Sequence, residues 1–149
     1  MTTDEFSVND INYHLFEERN FYFWVKCVID ALDLLGPETD GHLENIKRLL
    51  LDYYGSVDVS PEVVERIPSE IVRLRGVGFW RDDSPIGLKY RCLYNLAHSR
   101  EENLADLYNW QYGVESSFDL INLANHKDRE QALDALIQEN ASKYGVVLY

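Results

Sequence analysis

The sequence predicts an all-α protein of six to eight helices that form a single domain over residues 1–149. Apolar residues recur at helical spacing along most of the chain, and strand-like alternation of polar and apolar residues is scarce. Prolines, glycines and capping residues fall where the apolar stripes begin and end. The 149 residues, 46% of them hydrophobic and 27% charged, match the size and composition of one globular domain.

Two helices of different character are predicted at the start of the chain. The first opens at about Asp10. The second covers the mostly apolar residues 21–35, and Gly36 followed by Pro37 ends it. Its polar positions form one stripe at i, i+4 and i+7, which is typical of a central, mostly buried helix. These positions are Lys26, Asp30 and Asp33.

Capping signals mark the helices that follow. Asp40 can cap a helix that carries an apolar stripe and ends at Gly55. Residues 60–62 (SPE) place a cap, a proline and an acid in the order that starts a helix. Pro68 interrupts this helix, which leaves a second short piece over residues 69–75.

Glycines and charged residues interrupt the apolar spacing over residues 76–84 (GVGFWRDDS), which are predicted to form a loop. Ser84 and Pro85 then provide a cap and a first-turn proline for the next helix. Residues 99–102 (SREE) fit a capping box, and the helix that they open is predicted to stop at Gly113.

The remaining residues are predicted to form two helices and an apolar tail. Ser116 precedes the first of these helices, and Asp128 can cap the second. Residues 145–149 (GVVLY) favour either a terminal strand or an extended segment packed on the helices.

Acidity is the unusual feature of the composition, because 26 Asp and Glu residues against 14 Lys and Arg residues give a net charge of −12. Residues 1–60 and 101–149 carry net charges of −8 and −6, whereas residues 61–100 carry +2. This net charge repels nucleic acids and anionic membrane surfaces and attracts basic proteins. The expected partner is therefore a basic protein, with no direct binding to nucleic acid or membrane.

The sequence also indicates where the protein is located and how its cysteines behave. No apolar stretch reaches the ~20 residues that a transmembrane helix needs, and the first residues (MTTDEF) lack the pattern of a signal peptide, which predicts a cytoplasmic protein. Cys27 and Cys92 lie in apolar helical stretches outside any C-x-x-C pair. Their positions predict two buried free thiols and give no support to zinc or dithiol chemistry.

Motifs for catalysis and cofactor binding are absent from the sequence. It has no G-x-S-x-G nucleophile turn, no P-loop lysine motif and no glycine-rich dinucleotide turn. His14 shares a predicted helix face with Glu17 or Glu18, but the Glu-x-x-His units of di-iron bundles do not occur. The sequence therefore predicts a protein that is not an enzyme and holds no metal or cofactor.

Aromatic residues outside the apolar stripes indicate where a partner would bind. Tryptophan, tyrosine and arginine are the usual energetic hot spots of protein interfaces, and carboxylates around an aromatic anchor suit a basic surface. Such combinations occur in the predicted loop, at the end of the helix that Asp40 caps, and along the predicted capping-box helix. The candidate partner-binding residues are Phe79, Trp80, Asp82, Asp83, Asp52, Tyr53, Glu101, Glu102, Asp106 and Tyr112.

These features lead to the hypothesis of an acidic inhibitor of the immunity type, which sequesters a basic partner such as a nuclease toxin or another nucleic-acid-acting protein. An acidic domain can cover the positive cleft of such an enzyme, and long-range attraction speeds their association. In size, acidity and lack of targeting or catalytic motifs, the chain resembles bacterial toxin-immunity proteins and phage-encoded inhibitors. This is a resemblance of type and not of motif.

Two alternatives remain open at this point. The chain could be an adaptor or a subunit of a larger assembly, with residues 21–35 packing against a partner helix. It could also be a small helical enzyme or metal-binding bundle. An exposed apolar groove would favour the first alternative, and a polar cavity holding several carboxylates and a histidine would favour the second. The candidate residues for the second are His14, Glu17, Glu18, Asp30 and Asp33.

Overall fold

The computed structural model describes residues 20–55, 60–102, 107–122 and 126–147, without the side chains of residues 98–102, 107–112, 122 and 126–130. Seven α-helices and two 3₁₀ segments make up this part of the chain, which confirms the all-α class. The α-helices are α1 (Phe21–Ala31), α2 (Gly41–Tyr54), α3 (Pro61–Glu65), α4 (Ile67–Arg75), α5 (Pro85–Glu102), α6 (Leu107–Asn122) and α7 (His126–Tyr144). The 3₁₀ segments are Leu32–Leu35, which continues α1, and Val77–Arg81, which follows α4. The helix predicted to open at Asp10 lies outside the described residues.

Helix α1 is the centre of the fold. It packs against α2, α5, α6 and α7, and eight of its 11 residues are buried, which explains why its sequence is apolar on almost every side. On its polar stripe Lys26 and Asp30 form an ion pair of 2.8 Å, and Asn140 of α7 donates to the other Asp30 oxygen at 3.2 Å. Because the chain's own helices enclose α1, this helix does not offer the partner-binding face that the adaptor alternative requires.

The predicted boundaries in the first half of the chain agree with the structure because each carries its own chemical signal. Gly36 adopts a φ of 122° and ends the 3₁₀ continuation of α1. The Asp40 carboxylate accepts a hydrogen bond of 2.8 Å from the Leu43 amide and caps α2. The Ser60 hydroxyl accepts from the Glu62 amide at 3.3 Å and caps α3 in the same way.

The segment between α3 and α5 differs in detail from the prediction. Its helix is divided as expected, but the break falls at Arg66, and Pro68 lies in the first turn of α4. A proline in the first turn removes no helical hydrogen bond, so α4 can begin before it. The predicted loop over residues 76–84 is more regular than expected, because Val77–Arg81 forms a 3₁₀ turn.

Ser84 and Pro85 open α5 as predicted, and the Gly87 amide donates to the Ser84 hydroxyl at 3.1 Å. The predictions from local cap signals beyond this point are wrong. Residues 99–102, the predicted capping box, are the last residues of α5 and do not open a new helix. Gly113 and Ser116 both lie inside α6, and Asp128 is the third residue of α7 rather than its cap. A cap contributes only about 1 kcal/mol, and the packing of a continuing helix overrides it.

Helices α5 and α6 make the most extensive interhelical contact of the fold. The Ser117 hydroxyl lies in this contact and donates to the carbonyls of Gly113 and Cys92, at 2.9 and 3.3 Å, which satisfies it within the core. Cys27 and Cys92 are buried free thiols, as predicted. Burial raises the pKa of each thiol, which keeps both in the unreactive protonated form.

The chain turns at Gly145 as it leaves α7. Gly145 takes a φ of 68°, and the Val146 amide donates to the Ala141 carbonyl at 2.8 Å. Val146 packs on the core, and residues 145–147 do not form a strand. Of the two predicted forms, packing on the helices is therefore the one that this part of the tail shows. Among the described helices, none is long and apolar enough to cross a membrane.

Candidate binding surface at the Trp80 turn

Residues Val77–Arg81, called the Trp80 turn below, expose two large apolar side chains. Val77 is 84% exposed and Trp80 is 47% exposed. Residues three apart lie above one another in a 3₁₀ helix, so both side chains are on the same face of the turn. In the described part of the chain, Val147 is the one other large apolar residue with comparable exposure. The turn therefore presents a small apolar surface to solvent.

Aromatic rings beneath this surface hold Trp80 in place. Phe79 is buried, and the centre of its ring lies 4.3 Å from that of Trp80. The Tyr94 ring of α5 meets Trp80 edge-on, with 4.6 Å between centres, and lies 5.1 Å from Phe79. Such ring contacts favour defined geometries. Phe79 is thus a support for Trp80 and does not itself reach the surface at which a partner would bind.

Asp82 fixes the end of the turn through three hydrogen bonds. Its carboxylate accepts from the amide and the hydroxyl of Ser84, at 3.0 and 2.6 Å, and from the Arg75 guanidinium at 2.7 Å. Arg75 is the last residue of α4 and Ser84 directly precedes α5, so Asp82 joins both helices to the turn. The hydrogen bonds from Ser84, together with the charge of Arg75, lower the pKa of Asp82.

Asp83 is also paired with an arginine. Its side chain is 77% exposed and accepts a hydrogen bond of 2.8 Å from Arg91 of α5. The two carboxylates that the sequence places around Trp80, Asp82 and Asp83, are therefore both neutralised by arginines of neighbouring helices. Arg81, in contrast, is exposed, and its guanidinium has no ion pair or hydrogen bond within the described residues.

A second feature, residues 33–40, lies beside the Trp80 turn and is called the acidic connection below. It joins α1 to α2. Gly36 lies against Pro85, the first residue of α5, because a Cβ atom at position 36 would be 3.9 Å from the Pro85 Cβ. The connection therefore lies at the end of α5 where the Trp80 turn stops. Its carboxylates are Asp33, Glu38 and Asp40.

Two side chains of α5 hold the acidic connection. The buried Lys89 ammonium donates to the carbonyls of Gly36 and Glu38, both at 2.6 Å, which compensates for its removal from water. The Tyr90 hydroxyl donates to the Asp40 carboxylate at 2.6 Å. Burial opposes ionisation of Asp40, but the hydrogen bonds from Tyr90 and from the first turn of α2 outweigh it and lower the pKa.

Arg75 links the acidic connection to the Trp80 turn. Its guanidinium carbon lies 5.1 Å from the centre of the Tyr90 ring, while its Nη2 donates to Asp82. Because Tyr90 in turn bonds Asp40, a continuous series of polar contacts runs from the cap of α2 to the end of the turn. The two features therefore have a fixed relative position.

Asp33 and Glu38 are exposed carboxylates that have no counter-ion within the described residues. Asp33 lies in the last turn of the continued α1, where a negative charge opposes the helix dipole and does not stabilise the helix. Both carboxylates can therefore meet a partner without breaking an ion pair to any of the described residues. Sequence reasoning considered Asp33 only as a possible metal ligand and missed Glu38. The available signal for Asp33 was an acid at the C-terminal end of a helix.

Two of the predicted site residues lie elsewhere on the surface. Asp52 is at the opposite end of α2 from Asp40, about 18 Å along the helix axis, and pairs with Arg48 at 3.7 Å. Tyr53 is half-buried beside Tyr54, with 5.0 Å between ring centres. The structure thus does not bring Asp52 or Tyr53 to the Trp80 turn. Outside the described residues lie Asp106 and the side chains of Glu101, Glu102 and Tyr112.

The residues proposed for a metal site are not assembled in the part of the chain that the structure covers. Asp30 is hydrogen-bonded to Lys26 and Asn140. Within the described ranges, no three histidine, cysteine or carboxylate side chains lie close enough together to hold a metal ion. His14, Glu17 and Glu18 lie outside these ranges.

Acid should weaken the contacts of Asp82. Its pKa is lower in the folded protein than in the unfolded chain, so its ionised form adds stability above about pH 4. This contribution is lost as the pH falls through the folded pKa. We expect Asp82→Asn to lower the melting temperature at neutral pH, and the difference from the parent to shrink in strong acid.

Asp119 provides a control of opposite sign. Partial loss of hydration, followed by the negative charge of Glu115, raises the pKa of Asp119, whose side chain is on the surface. Its ionised form therefore opposes folding. Asp119→Asn should therefore raise the melting temperature at neutral pH, and this gain should also vanish in strong acid. Thermal unfolding followed by circular dichroism measures both variants. A difference for Asp82→Asn that does not change with pH would contradict its assigned contribution.

The geometry of this surface is suited to binding a protein. Trp80 is a half-exposed aromatic anchor held from below, and the charges of Arg81, Asp33 and Glu38 can orient whatever covers it. The chain matches none of the family models, curated proteins or solved structures with which it was compared.

Proposed function

We propose that this protein is an acidic binding protein of the inhibitor or immunity type, which sequesters a basic protein such as a nuclease toxin or another nucleic-acid-acting protein. The observation that carries the proposal is the supported, half-exposed Trp80 on the same face as Val77. Exposure of these side chains adds nothing to the stability of the isolated chain, whereas a partner that covers them gains the free energy of their burial.

The net charge of −12 supports a basic partner. Long-range attraction acts between whole molecules, so it persists although Asp82 and Asp83 are neutralised by arginines. The pairing changes the expected chemistry at the contact. Asp82 and Asp83 position Trp80, whereas Asp33 and Glu38 offer negative charge that no described residue neutralises.

Photocrosslinking at position 77 tests the proposal. p-Benzoylphenylalanine replaces the exposed Val77, and the tagged protein is irradiated in a low-salt lysate of the organism that encodes it. We expect the crosslinked protein, identified by mass spectrometry, to be basic. We also expect the crosslink to be lost at high salt, because screening weakens the attraction between the two charged proteins.

The same reagent at Ser142, an exposed position on α7, is the matched control. Equal labelling from positions 77 and 142, or crosslinks confined to acidic proteins, would contradict the proposal. Inhibition is then measured on the captured protein. A nuclease partner should lose activity on addition of one equivalent of the parent protein and should retain more of it with Trp80→Ala.

The acidic connection should control how fast the captured partner associates. Asp33→Lys combined with Glu38→Lys should slow association roughly tenfold at low salt, because both charges are exposed and no described residue pairs with them. Glu62→Lys combined with Glu65→Lys is the control, since it changes the net charge equally on α3. Surface plasmon resonance measures both association rates. Equal slowing by the two pairs would refute a local contribution of the acidic connection.

A further inference from the structure

We propose that the partner surface covering the Trp80 turn is an apolar pocket with a carboxylate at its edge. At this contact the positive charge belongs to this protein and the negative charge to the partner, which is the reverse of the overall attraction. The inference rests on the proposed function and adds the chemistry that the partner presents to the anchor.

The local charge at the Trp80 turn differs from the net charge of the protein once internal ion pairs are taken into account. Asp82 and Asp83 are paired with arginines, at 2.7 and 2.8 Å, and Arg73 is paired with Glu70. Arg81 is exposed and lacks any such partner in the described chain. The unbalanced charge beside the tryptophan is therefore a guanidinium, although the protein as a whole is strongly acidic.

Asp82 and Asp83 cannot bind a basic surface without giving up bonds inside the protein. Asp82 holds three hydrogen bonds that fix the turn, so transferring it to a partner's lysine would disrupt the anchor itself. Losing Asp83 would leave Arg91 without an anion, and its side chain is only 15% exposed. The Arg91 Nε already lacks a hydrogen-bond acceptor among the described residues. Asp82 and Asp83 therefore keep their internal ion pairs when a partner binds.

A carboxylate on the partner fits the exposed guanidinium of Arg81. A guanidinium binds a carboxylate through two parallel hydrogen bonds, which adds directional specificity. Val77 and Trp80, on one face of the turn, gain burial energy from apolar cover. Arg81 lies about 120° around the 3₁₀ turn from Trp80, so a carboxylate that meets its guanidinium lies at the edge of the apolar pocket. This contact would fix the orientation of a partner whose basic side is attracted to the acidic connection.

A phage-displayed random peptide library tests the inference without the natural partner. Selection on the parent protein follows depletion on Trp80→Ala, so the retained peptides require the turn. We expect bulky apolar residues next to Asp or Glu in these peptides. Measured by fluorescence polarisation, their binding to Arg81→Glu should be about tenfold weaker. Arg66→Glu, an equal charge change at the other end of α4, should leave their binding unchanged.

Retained peptides rich in lysine or arginine would overturn the inference, as would equal effects of Arg81→Glu and Arg66→Glu. Failure to retain any peptide after depletion would also overturn it. Each of these results leaves the proposed function to be judged by crosslinking at position 77, which identifies a basic protein whatever the sign of the charge in its pocket.

Discussion

Replacing Trp24 with alanine should lower the free energy of unfolding by about 3–5 kcal/mol. The indole is fully buried in α1 and lies 4.7 Å from the Phe23 ring and 6.2 Å from the Phe118 ring of α6, measured between centres. The substitution removes this burial and leaves a cavity that the four surrounding helices can fill only partly. Urea denaturation followed by circular dichroism measures the change.

Trp80→Ala is the matched control, because it removes the same side chain from a half-exposed site. Its cost should be about 1–2 kcal/mol, since part of the ring is already in water and contributes no burial energy. A midpoint of unfolding for Trp24→Ala that equals that of the parent would contradict the central position of α1. Equal losses for the two tryptophans would contradict their different burial.

Gly87→Ala should lower the free energy of unfolding by about 2–3 kcal/mol, although alanine is the better helix former. Gly87 is buried in the first turn of α5, where an added Cβ atom would overlap the Asp82 carboxylate. Either α5 must move away from the turn, or Asp82 must give up its hydrogen bonds to Arg75 and Ser84. Both responses would disturb the Trp80 turn.

Gly78 offers the control for this substitution. It lies in the Trp80 turn, with no atom within 4 Å of an added Cβ and with a φ outside the left-handed region. Gly78→Ala should therefore leave stability unchanged or raise it by up to about 1 kcal/mol. Urea denaturation compares the two variants, and near-ultraviolet circular dichroism reports the packing of Trp80. Equal stability of Gly87→Ala and Gly78→Ala would refute the close approach of Asp82 to α5.

The helices of the first half of the chain could be predicted because their signals are local. Asp40 and Ser60 cap the amides that directly follow them. Gly36 and Gly76 end helices in backbone conformations, with φ of 122° and 85°, that side chains rarely adopt. The apolar composition of residues 21–35 likewise predicted burial without knowledge of any neighbour.

The boundaries after α5 depend on packing between helices that are distant in sequence. Residues 99–102 match a capping box, yet α5 continues to Glu102, and Gly113 lies inside α6 although glycine often ends a helix. The contact between α5 and α6 stabilises both helices. A pattern of four residues carries no information about such a contact, so the cap signals were misleading there.

The candidate site could be predicted only in part. Glycines around an aromatic pair pointed to Trp80, which is half-exposed. The arginine partners of Asp82 and Asp83 lie seven and eight residues away, across a turn whose geometry helical spacing does not determine. The position of the acidic connection depends on Lys89, which reaches back 51 and 53 residues to bond it. No periodicity in the sequence indicates contacts of that range.

Both cysteines of the chain are buried, so a maleimide reagent finds no accessible native thiol in the folded protein. A cysteine introduced in place of Val77 or Ser142 would be the single reactive one, with Cys27 and Cys92 left as they are. A dye attached at either position would then report the distance from the Trp80 turn, or from α7, to a labelled partner without any change to the core.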